Sequence, residues 1–363
     1  MVLTMVDLTD TPEQAVLHHR ILIIRLSAIG DVVFSSPLVD ALKAVHHDAE
    51  LYWLAEAPVV SLLAHHPHLR DVIIWPRKEW SELFRRWRWL ALLREIMAFK
   101  KRLRQYRFDL VIDAQGLLKS AVLAWMTGAN RRVGFVSKEP TGALLTERIE
   151  KDAGPTISSE YRALAKYLGC QVDVFPMKVF LPPAVSEWSD AFRGDAPYIA
   201  ICPFTTRPQK HWPEIHWQAL ARSLVAQGRR VVVLGGPADR LSADRIFAGI
   251  PVESMAGEAA LLESAALISR ADLVIGVDTG LTHMGWAFEV PTIALFGSTC
   301  PYQDLGGLRG AVLYNNMACS PCRRKPVCGG TYDCLAELHP SSVLGSLEGL
   351  VGQESGSHSV VAS

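Results

Sequence analysis

"ILIIRLSAIGDVVFSSP", residues 21–37, runs from four consecutive apolar residues into a glycine turn and then an aspartate. A short apolar run bounded by turn residues suits a strand covered on both faces. The stretch after Asp31 is helix-periodic, so this segment opens a β-α unit. The alternation continues downstream, with strands expected at 21–25, 51–55, 72–75, 110–113 and 132–135. It restarts after "VFLPPAV" (179–185), with strands at 198–203, 231–235, 273–277 and 292–297. Helices are expected at 32–45, 213–227, 258–269 and 281–288. Pro213 opens one of them, at a position where its missing N–H costs nothing.

Such a series predicts an α/β protein with two doubly wound parallel sheets, each covered by helices. The implied organisation is an N-terminal extension over 1–19, a first domain over 20–182 and a second over 183–345. The second contains a Cys-rich segment, 319–334, and residues 346–363 read as a loose tail. Ligands of such folds lie beyond the carboxyl ends of the strands, here in the cleft between the halves.

Length and composition narrow the classes. A chain of 363 residues that is 49% hydrophobic can fill two cores. Its formal net charge is zero, which argues against a dedicated nucleic-acid binder. Residues 1–19 carry Asp7, Asp10 and Glu13 without an apolar centre, so no secretory signal is expected there. Seven cysteines without such a signal point to reduced thiols in the cytoplasm. No two glycines stand two apart, so GxGxxG is absent, and so is GxxxxGK[ST].

Two strand-to-helix junctions have the chemistry of a diphosphate site. In "VIGVDTGLTHMGWAF" (274–288) an apolar strand meets Asp278-Thr279-Gly280, and a helix begins at once over Leu281, Thr282 and His283. Free backbone N–H groups at that start, with the aligned peptide dipoles, attract anions, and Thr279 and Thr282 can add hydroxyl donors. A capped helix with a buried histidine would have the same sequence. In "PFTTRPQKHWPEIHW" (203–217), Thr205 and Thr206 add hydroxyl donors and Lys210 a positive charge. A third junction, "LGGPADR" (234–240), offers Asp239 to a ribose hydroxyl, or as a helix cap. By its own residues Asp31 reads as a cap for helix 32–45.

Residues 77–107 hold eleven Lys or Arg against three Glu, interleaved with Trp80, Trp87 and Trp89. A solvated helix face accounts for the charge; the aromatics favour an anionic lipid surface. Cys319, Cys322, Cys328 and Cys334 provide the ligand number of a tetrahedral zinc site. They lack the regular pairing of two CxxC knuckles, so no metal is assigned and a structural role is expected.

"SAIGDV" (27–32), "RRWRW" (85–89), "DAQGLLKSA" (113–121), "TTRPQKHWPEIHW" (205–217) and "VDTGLTHM" (277–284) together resemble the inverting heptosyltransferases of glycosyltransferase family 9. The similarity extends from about Ile21 to about Pro301. It implies the GT-B architecture, two Rossmann-like domains facing across a cleft. It implies ADP-L-glycero-D-manno-heptose as donor and the Kdo residue of Kdo-lipid A as acceptor. The protein would then act in the cytoplasm, peripherally at the inner membrane, with no obligate protein partner and no nucleic acid. Asp31 matches the family's general base, which takes the proton of the attacking hydroxyl. Lys210 and the turn Asp278–His283 would stabilise the departing ADP. Arg85, Arg86 and Arg88 match a segment placed near the acceptor's anionic groups, and Lys119 and Lys138 extend it. No D-x-D pair occurs, so no cofactor is required on this reading, which leaves room for stimulation by Mg2+. The Cys-rich segment departs from the nearest members and leaves other family acceptors open. A non-catalytic binder of nucleotide sugars or anionic lipids is the contrasting class.

Overall fold

A computed structural model describes residues 19–299, 301–323 and 325–352. The expected N-terminal extension lies almost entirely outside these residues, as does the tail beyond 352. The first half contains strands β1 (Arg20–Ile24), β2 (Glu50–Glu56), β3 (Leu69–Trp75), β4 (Leu110–Asp113), β5 (Arg131–Phe135) and β6 (Glu147–Ile149). Its helices are α1 (Ile29–Ser35), α2 (Pro37–Val45), α3 (Val60–Leu63), α4 (Arg77–Arg85), α5 (Trp89–Gln105), α6 (Leu118–Thr127) and α7 (Ser159–Tyr167). The second half has β7 (Tyr198–Cys202), β8 (Arg230–Val233), β9 (Glu253–Ser254), β10 (Leu273–Val277), β11 (Thr292–Phe296) and β12 (Gly310–Tyr314). Its helices are α8 (Pro183–Arg193), α9 (Glu214–Ala226), α10 (Arg240–Ile246), α11 (Leu261–Arg270), α12 (Gly280–Ala287), α13 (Asp333–Ala336) and α14 (Pro340–Gly352).

Each half forms one parallel six-stranded sheet. The orders are β3-β2-β1-β4-β5-β6 and β9-β8-β7-β10-β11-β12, so the two halves repeat one topology. Chain direction reverses its progress across the sheet between β1 and β4, and again between β7 and β10. These switch points open the crevices where ligands of doubly wound sheets bind. Ile21–Ile24 is buried throughout, as is the whole of β10 and β11, which explains their unbroken apolar sequence.

The expected helix 32–45 is two helices. Pro37 starts α2, because it has no N–H to continue α1 and its ring would strike the carbonyl of Val33. At the other end, α14 carries the chain past the expected boundary at 345. Val343 and Leu347 are buried in the second core, so this stretch belongs to the fold and not to a tail.

Candidate active site

The two switch points face each other. Helix α1 follows β1, α12 follows β10, and their first turns touch. A Cβ on Gly30 would come within 2.6 Å of the His283 ring, and one on Gly280 would collide with Ile29. Only glycine at both positions allows so close an approach. Phe34 of α1 packs on His283 with ring centres 4.5 Å apart. Thr156 and Asp304 add a second crossing, with a hydroxyl-to-carboxylate bond of 2.8 Å.

On the second half, Asp278 is the centre. Its carboxylate accepts from Lys210 Nζ at 2.5 Å, from Thr299 Oγ1 at 2.5 Å, and meets His283 Nε2 at 3.0 Å. Burial alone would raise its pKa; the bond and charge of His283, then those of Lys210, outweigh it and hold the carboxyl far below the usual range. Lys210 is thus held in an ion pair, and His283 is buried between Phe34 and Trp286. Thr282 corrects the expectation of a hydroxyl donor. Its side chain is fully buried and bonds the Val277 carbonyl at 2.7 Å, leaving only its backbone N–H at the helix start. Gly276 makes room for that hydroxyl, since any Cβ there would overlap it.

What remains available to an anion is the first turn of α12, with the N–H groups of Gly280, Leu281 and Thr282. Thr279 precedes it as N-cap without using its hydroxyl for capping. Thr205 and Thr206 lie in the loop after β7, and their hydroxyls make no bond to another described residue. Asp239 Oδ2 accepts the Gly236 N–H at 2.8 Å, the capping alternative for that residue.

On the first half, Asp31 is the third residue of α1, not the residue before it. Its Oδ2 accepts the Ala28 N–H at 3.2 Å and pairs with Arg25 Nη2. Asp31 Oδ1 has no partner among the described residues, and the side chain is 44% exposed. The capping function and an outward-facing carboxylate oxygen thus coexist. Sequence reading passed over Arg25, which is 6% exposed and also donates to the Ala114 carbonyl at 3.0 Å. Burial works against its charge, but Tyr161, Asp31 and Glu160 together push its pKa up. The signal was present: a lone arginine ending an apolar strand needs a counter-charge nearby.

"DAQGLLKSA" acquires a structural role. Asp113 is buried and accepts from Gln115 N–H, Gly116 N–H and Ser120 Oγ, which fixes the loop after β4. Burial pushes its carboxyl upward. Lys119, in the first turn of α6, pairs with Glu56 at 3.3 Å, and Arg77 meets the same glutamate at 2.9 Å. Glu56, also unforeseen, anchors these two cations. Arg85, Arg86 and Arg88 stand exposed at the turn between α4 and α5, and Lys138 is exposed after β5.

Of the cysteines, Cys334 is buried, Cys322 and Cys328 half-buried and Cys319 exposed. Among the described residues, one group of three metal-type ligands has its atoms within 4.8 Å of one another: Asp40, His66 and His68. Lys178 already pairs with Asp40 at 2.6 Å. His66 Nδ1 accepts the His68 N–H at 3.2 Å, so the proton sits on Nε2 and that atom is not a free ligand.

Two parallel sheets of one topology, joined where a helix N-terminus faces a carboxylate, define the GT-B class of glycosyltransferases. The chain belongs to glycosyltransferase family 9, the heptosyltransferases, whose family model matches residues 96–331. It is similar to lipopolysaccharide heptosyltransferase 1 of Pseudomonas aeruginosa, 32% identical over 329 residues, covering 84% of this chain and 86% of the relative. Lipopolysaccharide heptosyltransferase 1 of Escherichia coli K12 is 29% identical over 343 residues, 91% of this chain and 100% of that one. Among solved structures, E. coli heptosyltransferase WaaC with ADP-2-deoxy-2-fluoro heptose matches with a TM-score of 0.69 at 25% identity, over 91% and 99% of the two chains. A family 9 glycosyltransferase from Veillonella parvula shares the fold, with a TM-score of 0.75 at 18% identity over 94% and 99%.

Proposed function

We propose that this enzyme transfers L-glycero-D-manno-heptose from ADP-heptose to the Kdo residue of Kdo-lipid A, with inversion, in building the lipopolysaccharide core. The observation that carries the mechanism is Asp31: Oδ2 is held by Arg25 and Ala28 and Oδ1 is left unpartnered, on the helix whose first turn touches that of α12. An acceptor hydroxyl attacks the anomeric carbon from the face opposite the diphosphate. Its proton passes to Asp31 Oδ1 as the new C–O bond forms and the bond to ADP breaks. Negative charge then grows on the diphosphate, where the N–H groups of Gly280 and Leu281 with Thr205 and Thr206 can receive it. Lys210, held by Asp278, adds its charge at the same end.

The acceptor enters from the first half. Arg85, Arg86 and Arg88 suit its carboxylates and phosphates, because the planar guanidinium binds such groups through two parallel bonds. No helix among the described residues is long and apolar enough to cross a membrane. The basic, Trp-bearing α4–α5 pair supports a peripheral position on the cytoplasmic face of the inner membrane. ADP release from ADP-heptose, measured against a panel of truncated Kdo-lipid A acceptors, tests the whole reading. Release with Kdo-lipid A alone supports it. Release only with an already heptosylated acceptor moves the activity to the next core position, and donor binding without release makes the chain a binder.

A further inference from the structure

Beside the acceptor-side cations lies a cavity of about 540 Å3, within the range of small-molecule sites. Trp75 at the end of β3, Trp80 of α4, and Leu118, Val122, Leu123 and Met126 of α6 form its walls. It lies at the carboxyl end of the first sheet, on the side that carries Asp31. Leu118 and Val122 are 38% and 36% exposed, so the cavity opens to solvent along α6.

Its chemistry is one-sided. The charged lining residues, Lys119 and Glu139, already hold Glu56 and the Leu118 N–H, and the indole N–H groups of Trp75 and Trp80 are buried in the walls without a partner. A sugar or nucleotide placed here would lose water from several hydroxyls and find few replacement bonds among walls that are otherwise apolar. A hydrocarbon chain has no such loss. The neighbouring α4–α5 turn exposes Phe84, Trp87, Leu90 and Leu93 at 56%, 78%, 83% and 57%. These alternate with Arg85, Arg86, Arg88 and Arg94, in a segment with eleven basic and three acidic residues. Apolar side chains set among excess positive charge complement an anionic acylated lipid.

We propose that the cavity is an acyl-chain site, taking one hydrocarbon chain of the lipid-linked acceptor while its anionic groups lie on the Arg85–Arg88 turn. This rests on the reading of the acceptor as a lipid-borne glycan. Filling the cavity with Val122→Trp tests it, since Val122 lies at the opening and touches no catalytic residue. Leu118→Gln serves if the first variant melts early. The chain should bind cis-parinarate, a fluorescent fatty acid, saturably, and Val122→Trp should weaken that binding at least about tenfold. With acylated Kdo-lipid A, Val122→Trp should raise KM about tenfold; with the fully deacylated acceptor, KM and kcat should match the parent. Equal parinarate binding by parent and variant, or equal changes with both acceptors, overturns the site. If neither acceptor is turned over, the function reading fails, and parinarate binding still decides the cavity's occupant.

Discussion

Asp278 and Asp31 are carboxylates at equivalent switch points, and their surroundings differ. Asp278 is 12% exposed and receives Lys210, His283 and Thr299 from three separate segments of the second half. Asp31 is 44% exposed and is held by Arg25 and Ala28, both within its own strand-to-helix connection. The second-half carboxylate is built before any ligand arrives, and its charges are cross-linked through the fold. The first-half carboxylate is locally held and open to solvent, as the proposed entry of the acceptor on this side requires. Substitutions in the second half should therefore disturb folding and binding together, whereas those in the first half should separate them.

Asp31→Asn should show the largest effect. The amide cannot take a proton, so turnover at saturating donor and acceptor should fall about 100- to 10,000-fold. ADP-heptose affinity should stay near the parent value, because the nucleotide is expected on the other half. Arg25 would lose its counter-charge, so some loss of melting temperature is expected even though Asn can still receive the Ala28 N–H. A folded variant with near-normal turnover removes Asp31 as the base.

Asp278→Asn should bring the largest loss of stability. It leaves Lys210 only 15% exposed without its anion, and breaking a buried pair costs on the order of 3–5 kcal/mol. The depressed carboxyl stabilises the fold at every pH above its unfolded value near 4, and that contribution is lost as pH falls below it. Thermal melts of the parent should thus decline in acid more steeply than those of the variant. Lys210→Ala should both lower ADP-heptose affinity and slow turnover. If Asp31→Asn melts earlier than Asp278→Asn, the contrast between the halves is wrong.

Much of this contrast was written in the sequence, and the missing part has one cause. The repeated β-α alternation, both crevices and the facing residues Asp31, Lys210 and Asp278 follow from apolar runs ending in turn chemistry. Partner choice does not. Periodicity identifies Lys210 and Asp278 as polar residues at loop ends 68 positions apart, but not that they pair with each other. Thr282 looks like a free donor until β10 brings the Val277 carbonyl beneath it. Glu56 is not legible because a charge at a strand end reads as solvent-facing until the cations that fold onto it, Arg77 and Lys119, are known. The cavity arises where α6 meets β3 and α4, which lie more than thirty residues before it in the chain.

Arg85→Ala with Arg86→Ala sharpens the comparison from the other side. Both guanidinium groups are exposed, and apart from a long 3.4 Å contact of Arg85 with the Ser81 carbonyl no bond ties either side chain to the fold. Melting should be unchanged. KM for the acceptor should rise by about 1.5–3 kcal/mol per lost charge-assisted bond, while ADP-heptose affinity holds. Equal losses for donor and acceptor would mean that the halves do not divide the substrates.

The smallest effect tests whether titration in the first half, away from the cleft, stays out of catalysis. His66 is buried against Phe180, with ring centres 4.6 Å apart, and its pKa is pushed down to about 4. Burial is the main cause; Asp40 opposes it, and the charges of His68 and Lys178 add to it. Between about pH 6.5 and about 4 the unfolded chain carries a proton on this ring that the folded chain does not. Stability is therefore complete above the unfolded value and is lost as pH falls through that window. His66→Gln can still accept the His68 N–H and has no such proton, so its melting temperature should fall less between pH 7 and about 4.5. Because Asp40, His66 and His68 form their own cluster with Lys178, the pH profile of turnover should be the same in parent and variant. A shifted turnover profile in His66→Gln would show that the first half transmits this charge to Asp31, and its openness would then be only apparent.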